Sequence, residues 1–205
     1  MINYLAHILV VGSNPDHQIG AFLGDFVKGP LSTERPLHIE QGIWHHRQLD
    51  AWSNQHEGMR ECAAEFGEQH RRVAPILLDL FIDHFLCRNW QQFHNTSLRE
   101  FSRQFYQDLS TRETFLPERA LNWLTYAQKK DLLMGYGELE QLKNIVRSMD
   151  ERRRKPLGLT AAFEAGVSQY SLLEKRFFDL FPDIVRQSNV LNNQFPAAFG
   201  INPRN

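Results

Sequence analysis

Two acids and a histidine interrupt the apolar run LDLFIDHFLCRNW at residues 78–90. On a helix, Asp79 and Asp83 lie only about 40° apart, whereas His84 lies about 140° from Asp79. The residues that flank the acids are isoleucine and leucine, and an uncompensated carboxylate is costly in such surroundings. For a single acid of this kind, a buried ion pair or a helix–helix hydrogen bond is the ordinary explanation.

The same pattern recurs in three other segments. In GIWHHRQLDAW, His46 and Asp50 are four residues apart among apolar neighbours, and INYLAHILV places Asn3 and His7 at the same spacing. In GAFLGDFVKG, Asp25 lies between two apolar residues, and glycines at positions 20, 24 and 29 allow close backbone approach. Four segments with inward polar groups favour one shared site over four unrelated ion pairs.

Aspartate and histidine side chains on facing helices suggest a metal centre. Carboxylate oxygens and imidazole nitrogens suit Mn²⁺, Fe²⁺, Zn²⁺ or, with bound waters, Mg²⁺. The sequence has no Glu-x-x-His pair of the kind found in di-iron carboxylate bundles, so a hydrolytic ion is the simpler hypothesis. Such an ion lowers the pKa of a bound water and withdraws charge from a phosphoester oxygen.

Cationic side chains adjoin these acids in the sequence. Arg47 directly follows His46, Lys28 is one helical turn from Asp25, and Arg72 belongs to an arginine pair that precedes the 75–90 segment. Each side chain has the charge to bind a phosphate. The alternative for all three is a solvated helix face on which the apolar part of the side chain packs.

The elements that must position these residues are helices. Apolar residues recur at three- and four-residue intervals, which predicts an all-α fold with helices near 2–11, 16–28, 37–56, 75–92, 97–109, 117–134, 136–152 and 157–180. The predicted boundaries coincide with prolines at positions 15, 36, 75, 117, 156 and 182. We predict a single-domain helical bundle over residues 1–193 and a loosely docked tail over residues 194–205, QFPAAFGINPRN.

Composition limits the partners and the compartment. The formal net charge of 205 residues is −1, so no global basic field indicates a nucleic acid partner. No stretch approaches the roughly 20 apolar residues of a membrane span, and no signal peptide is recognisable. Cys62 and Cys87 have neither the number nor the spacing of a disulfide framework. These features predict a cytoplasmic protein without a membrane partner.

Four motifs in order carry a resemblance to a known family. NYLAHI, GDFVKG, HRQLD and RRVAPILLDLFIDHFL resemble the acyl carrier protein phosphodiesterases of Gram-negative bacteria, most strongly over residues 2–93. The resemblance implies hydrolysis of the phosphodiester between 4'-phosphopantetheine and a carrier-protein serine. It also implies a divalent metal, usually Mn²⁺, and a helical fold related to the HD phosphohydrolases.

The resemblance also implies roles for particular residues. The expected metal ligands are Asp25, His46, Asp50 and Asp83. The expected catalytic residues are His7, Arg47, Asp79 and His84, with Asp79 as a ligand or as a residue that orients one, and a histidine as the acid for the leaving serine. The chain departs from the HD pattern because it contains no consecutive His-Asp dipeptide, so the HD ligand set is not transferred literally.

The expected partner is holo acyl carrier protein, a strongly acidic protein according to the resemblance. The segment ERRRKP at residues 151–156 provides a local basic patch that includes Arg153 and Arg154. With Lys28 and Arg72, these are the expected substrate-binding residues, although cations at a helix end also complement its dipole.

Two alternative functions stay open: an HD-type enzyme for a nucleotide or other small phosphodiester, and a non-catalytic helical binding protein. The oligomeric state is not predicted.

Overall fold

The structure is a computed structural model that describes residues 2–195. Within them it confirms the all-α prediction, since every regular element is helical. The α-helices are α1 (Tyr4–Val10), α2 (Pro15–Leu23), α3 (Leu37–Ser53), α4 (Glu57–Ala64), α5 (Ala74–Arg88), α6 (Leu98–Ser110), α7 (Glu118–Lys130), α8 (Leu132–Gly135), α9 (Leu139–Glu151), α10 (Leu159–Ser168) and α11 (Tyr170–Asn192). No helix among the described residues is long and apolar enough to cross a membrane.

Helix starts follow local capping chemistry. The Asn14 side chain accepts hydrogen bonds from the backbone N–H groups of Asp16 and His17, and Pro15 occupies the first turn of α2. Ser97 and Glu100 form a reciprocal capping box at the start of α6. These interactions satisfy N–H groups that have no partner within their own helix.

Several predicted boundaries were wrong. The predicted helix 16–28 ends at Leu23, because the N–H groups of Phe26 and Val27 both bond to the Leu23 carbonyl and turn the chain. The predicted helix 117–134 breaks at Asp131, which has a left-handed backbone with φ of 48°. Helix α4 was not predicted at all, and the predicted helix 157–180 divides at Gln169 between α10 and α11.

Pro182 does not mark a boundary but lies inside α11. A proline there removes one backbone hydrogen bond and normally disfavours a helix. The helix continues because its apolar face is buried on both sides of the proline, through Phe177, Phe181, Ile184 and Leu191. Tertiary packing therefore outweighs the local preference.

The core is built around α5, which contacts α1, α4, α9, α10 and α11. Most of its side chains are buried, including Asp79, Asp83 and His84. The Phe195 ring lies 5.6 Å from the Trp44 ring of α3, so the beginning of the predicted tail contacts the bundle. The remainder of that prediction, residues 196–205, lies outside the described residues.

Helices α2 and α3 pack side by side at very short range. A side chain at Gly20 would collide with the Ile39 carbonyl, and one at Gly42 would collide with the His17 carbonyl. Only glycine at both positions permits this approach. Successive contacts advance along both helices in the same direction, so α2 and α3 run parallel and the end of α2 meets the middle of α3.

Candidate metal centre

Two histidines and an aspartate from α1 and α3 converge. One ligand atom from each of His7, His46 and Asp50 lies within 4.8 Å of the others. The two oxygens of Asp50 divide their contacts: Oδ1 is 3.1 Å from His7 Nε2, and Oδ2 is 3.4 Å from His46 Nε2. Asp25, just beyond α2, places Oδ1 3.6 Å from His46 Nε2. The structure thus brings together four of the residues expected in the site.

The backbone of α2 orients His46. Its Nδ1 donates a hydrogen bond to the Ala21 carbonyl at 2.6 Å, which leaves Nε2 directed at the carboxylates. A carbonyl partner on the second nitrogen is the usual arrangement for a metal-binding histidine. A side chain at Gly24 would collide with the imidazole of His46, so glycine is required there. The rings of His7 and His46 stack with centroids 3.8 Å apart.

The charges in this group depend on one another. Burial lowers the pKa of His46, but hydrogen bonds and charge from Asp25 and Asp50 outweigh it and raise that pKa to about 9. Burial and the neighbouring His46 lower the pKa of His7 to about 4. Burial alone would raise the pKa of Asp50, yet its two histidine partners hold it far below the usual range. A proton on His46 therefore balances the acids.

The donor set fits a divalent cation. Two imidazole nitrogens and carboxylate oxygens form a mixed nitrogen and oxygen site, which suits ions such as Mn²⁺, Fe²⁺ and Zn²⁺. A cation would provide the positive charge that the proton on His46 provides, and its binding would release that proton. The described residues therefore contain a group that is able to hold a metal ion.

An open groove of about 450 Å³ leads to this group. Asp25, His46 and Asp50 line it together with Lys28 and Arg47. Arg47 is partly committed to the protein itself, because its guanidinium donates to the carbonyls of Gly29 at 2.8 Å and Val27 at 2.9 Å. Arg47 thereby fixes the short segment that carries the exposed Lys28 at the edge of the groove.

Asp79 is buried on α5, where the charges of nearby acids affect its pKa. Burial raises the pKa of this carboxyl well above its usual value, and the charges of Asp50, Asp83 and Asp25 raise it further. Burial and the neighbouring acids therefore favour the protonated form of Asp79. A role for Asp79 as a ligand, or as a residue that orients one, stays a prediction.

The structure gives Asp83 a different task from the expected one. Its Oδ2 accepts a hydrogen bond from the N–H of Leu5, and its Oδ1 accepts one from the N–H of Ala6, each at 2.9 Å. Helix α1 has no capping side chain of its own, so this fully buried carboxylate satisfies two N–H groups of its first turn. Both oxygens are committed to α1. The group of His7, His46 and Asp50 does not include Asp83, and its expected role as a metal ligand stays a prediction.

His84 is also directed away from the group. Its Nδ1 donates to the Tyr136 carbonyl and its Nε2 accepts from the Tyr170 hydroxyl, both at 2.8 Å. Burial lowers the pKa of His84, so the ring is neutral. Because both nitrogens already have partners, the structure does not support the expectation that His84 is a catalytic acid.

The remaining expected substrate-binding residues lie apart from the groove lining. Arg72 is exposed in the turn before α5, and Arg153 and Arg154 are exposed in the turn between α9 and α10. Asp150 stabilises that second turn, since its carboxylate accepts hydrogen bonds from the N–H groups of Leu157 and Leu159. Only Lys28 of the four substrate-binding predictions lines the groove.

Sequence reasoning missed two contributors to the site. The Ala21 carbonyl orients His46, but a backbone acceptor has no signature in the residue type. Asn54 lines the groove one helical turn beyond Asp50, and the four-residue spacing from Asp50 is the signal that points to it.

Comparison with known proteins places the chain among relatives of similar length. A profile described as acyl carrier protein phosphodiesterase matches residues 2–184, well beyond the 2–93 segment that carries the motif resemblance. A protein of that name from Serratia proteamaculans is 34% identical over 188 residues, which are 91% of this chain and 97% of the relative. Proteins of the same name from Yersinia pestis and Salmonella paratyphi A are 31% and 30% identical with the same coverage.

No solved structure matches the chain. The relationship to the HD phosphohydrolases therefore stays a prediction, whereas the all-α architecture and the sequence relatives agree with the motif resemblance. The profile match spans most of the chain and includes every residue of the groove. On these grounds the chain belongs to the acyl carrier protein phosphodiesterase family.

Proposed function

We propose that this protein hydrolyses the phosphodiester that joins 4'-phosphopantetheine to the serine of holo acyl carrier protein. The observation that carries the proposal is the convergence of His7, His46 and Asp50 beside an open groove, which His46 and Asp50 line, in a chain of this family. The products are apo carrier protein and free 4'-phosphopantetheine. Both cysteines are free thiols, which agrees with the proposed cytoplasmic location.

We propose that His7, His46 and Asp50, with Asp25, hold a divalent ion, and that Mn²⁺ is its usual identity. When bound, the ion supplies a Lewis acid for the phosphoryl group and lowers the pKa of an attacking water. The proposed ligands are already oriented by the fold. The Ala21 carbonyl accepts a hydrogen bond from His46 Nδ1, so that Nε2 faces the groove. The N–H of Ile2 donates to Asp50 Oδ1 at 3.0 Å and fixes that carboxylate.

The groove also provides positive charge for the phosphate. Lys28 is free to follow a substrate because it is exposed at the edge of the groove. Arg47 acts through position, since its two bonds to the 27–29 backbone fix the segment that carries Lys28 at the edge of the groove. Lys28 therefore stabilises the charge that spreads over the phosphoryl oxygens in the transition state.

The basic turn between α9 and α10 is the proposed docking surface for the acidic carrier protein. Arg153 and Arg154 are exposed there and lie outside the groove, so they act on association rather than on the reaction. Reversal of both charges to Glu should raise KM for holo carrier protein about tenfold at low salt and leave kcat nearly unchanged. Steady-state kinetics at two salt concentrations test this, and an unchanged KM would remove the turn from the docking surface.

The decisive experiment is intact-mass spectrometry of holo acyl carrier protein after incubation with the purified protein. Parallel samples contain Mn²⁺ or excess EDTA. We expect loss of the phosphopantetheine mass with Mn²⁺ and an unchanged carrier protein with EDTA. An unchanged carrier protein in both, with folded and metal-loaded protein, would contradict the proposal and favour a small phosphodiester, which a nucleotide panel would then examine.

Adjacent histidines on α3 provide a matched pair of variants. His46 belongs to the metal group, whereas His45 is buried in the helix interface and contacts the Ser188 hydroxyl at 2.8 Å. His46→Gln should abolish turnover and reduce bound metal. His45→Gln should reduce thermal stability but retain both turnover and metal. Equal loss of activity in both variants would indicate a general packing effect instead of a metal site.

A further inference from the structure

A second convergence of ligand atoms lies at the start of α2 and α3. His17 Nε2 is 3.1 Å from His38 Nδ1 and 2.9 Å from Gln41 Oε1. The third side of this triangle, from His38 Nδ1 to Gln41 Oε1, is 2.8 Å. Two imidazole nitrogens and an amide oxygen therefore point at one another.

Protons cannot satisfy all three contacts. If both ring nitrogens donate to the Gln41 oxygen, their N–H groups face each other across the 3.1 Å contact. If one histidine is the donor for the other, the unprotonated nitrogen directs its lone pair at the amide oxygen. Exchange of the Gln41 oxygen and nitrogen leaves the two histidines as acceptors that face each other. Each arrangement leaves one repulsive contact.

A cation removes that conflict, because all three atoms can direct lone pairs at it. Ligands at about 2.1 Å from an ion are about 3.0 Å apart in octahedral coordination and about 3.4 Å apart in the tetrahedral coordination usual for Zn²⁺, and the three observed separations of 2.8 to 3.1 Å approach these values. We infer that His17, His38 and Gln41 form a second cation site, distinct from the His7–His46–Asp50 group, for a divalent ion that prefers imidazole ligands.

The frame around this cluster is rigid. The glycine contacts at Gly20 and Gly42 lock α2 against α3 beside the cluster. His38 and Gln41 are three residues apart and so share one face of α3. His38 precedes His46 by eight residues, a rise of about 12 Å along the helix. The two groups are therefore separate sites on the same helix pair, and an ion at the second would join the start of α2 to α3.

The donor set indicates which ion to expect. None of the three donors is a carboxylate or a thiolate, and the nearest acid in sequence, Asp16, is paired with Arg112. Mg²⁺ and Ca²⁺ prefer carboxylate and carbonyl oxygens, whereas Zn²⁺ and Ni²⁺ bind imidazole well. His38 is exposed and Gln41 and His17 are half-buried, so an ion can enter and water can complete its coordination. Zn²⁺ is the appropriate probe.

The test is equilibrium dialysis of the full chain, prepared without an affinity tag and stripped of metal, against Zn²⁺ at neutral pH. We expect the wild-type protein to bind one equivalent more than His38→Ala. His70→Ala, which removes a histidine outside both clusters, serves as the matched control and should equal the wild type. His46→Ala should retain the equivalent that His38→Ala loses, which separates this result from the fate of the proposed catalytic ion.

A variant with higher expected affinity for Zn²⁺ provides the second part of the test. Gln41→Glu replaces the neutral oxygen by a charged one in the same position, so it should bind Zn²⁺ at least about tenfold more tightly at this site. Thermal melts with and without Zn²⁺ confirm that each variant is folded. Equal Zn²⁺ stoichiometry in the wild type and His38→Ala would overturn the inference, as would an unchanged affinity in Gln41→Glu.

Discussion

Helices α3 and α5 both place acids and histidines among buried apolar residues, yet they use them in different ways. On α3, His46 and Asp50 each have one backbone partner, but the contacts of His46 Nε2 with Asp25 and Asp50, at 3.4 to 3.6 Å, are longer than ordinary hydrogen bonds. On α5, Asp83 and His84 make short bonds of 2.8 to 2.9 Å, three of the four to backbone groups.

The two helices differ in the partners of their polar side-chain atoms. Each polar atom of Asp83 and His84 has a partner on a neighbouring segment, so these groups stabilise the bundle. The α3 group leaves two histidines and two carboxylates balanced only by a proton, at the floor of an open groove. In this protein, the polar residues of the candidate site have titratable side chains among their partners, whereas the partners of Asp83 and His84 are mainly backbone groups.

The largest expected effect is at the α3 group. Asp50→Asn keeps the shape of the side chain but removes the charge that both histidines contact. Because a metal ion contributes several kcal/mol of transition-state stabilisation, we expect kcat to fall about 10³-fold together with the loss of bound Mn²⁺. Carrier-protein turnover and metal content by elemental analysis measure this. Full activity in a metal-free variant would remove the distinction between the two helices.

The next effect is on stability and lies at α5. Asp83→Ala leaves the N–H groups of Leu5 and Ala6 buried without an acceptor, which should lower the free energy of unfolding by about 3 kcal/mol. Urea denaturation measures the loss. Since α1 also carries His7, turnover should fall as well, but bound Mn²⁺ should persist. An Asp83→Ala protein that is as stable as the wild type but binds no metal would indicate that Asp83 is a metal ligand.

The sequence pattern identified the buried polar residues of both helices but not their partners. It predicted a helix over 75–90, observed as Ala74–Arg88, and predicted that His46 and Asp50 share a face, which their 3.4 Å contact confirms. The acceptor for His84 is a backbone carbonyl 52 residues away. Backbone groups are the same in every residue, so a sequence contains no local signal for such pairings.

The fold shows the same limit. Helical periodicity was sufficient to predict the all-α class, and the proline rule located boundaries such as Pro15, the first residue of α2. Pro182 violates a local rule, and only the burial of the α11 face on both sides of it explains why the helix continues. Chain direction after α2 likewise depends on Arg47, which bonds the Val27 and Gly29 carbonyls from another helix. Long-range contacts of this kind decide boundaries that a local pattern leaves open.

A smaller effect is expected in the pH dependence of the free energy of unfolding, and it comes from the buried carboxyl of Asp83 on α5. Burial raises the pKa of Asp83 from the ordinary value of 3.8 to about 7 in the folded protein. The N–H groups of Leu5 and Ala6 favour the charged form, but burial outweighs them. A raised folded-state pKa stabilises the protein at low pH, and that stability is lost as the pH rises toward 7. The free-energy advantage of wild type over Asp83→Asn should therefore shrink by about 2 kcal/mol between pH 5 and pH 7. Urea melts at several pH values measure this difference. A difference that stays constant over this range would mean that the Leu5 and Ala6 N–H groups keep the carboxylate charged throughout.

The smallest effect is expected for His84, and it tests the comparison most directly. His84→Gln retains a hydrogen-bonding group between the Tyr136 carbonyl and the Tyr170 hydroxyl, so the free energy of unfolding should fall by only about 1 kcal/mol. A catalytic acid in this position would instead contribute about 10²- to 10⁴-fold to kcat. We expect kcat to change by less than about threefold, because the two nitrogens contact the Tyr136 carbonyl after α8 and the Tyr170 hydroxyl of α11 rather than the groove. Turnover measured beside a urea melt distinguishes the two cases, and a large loss of kcat at preserved stability would mean that polar groups with complete partners also take part in the reaction.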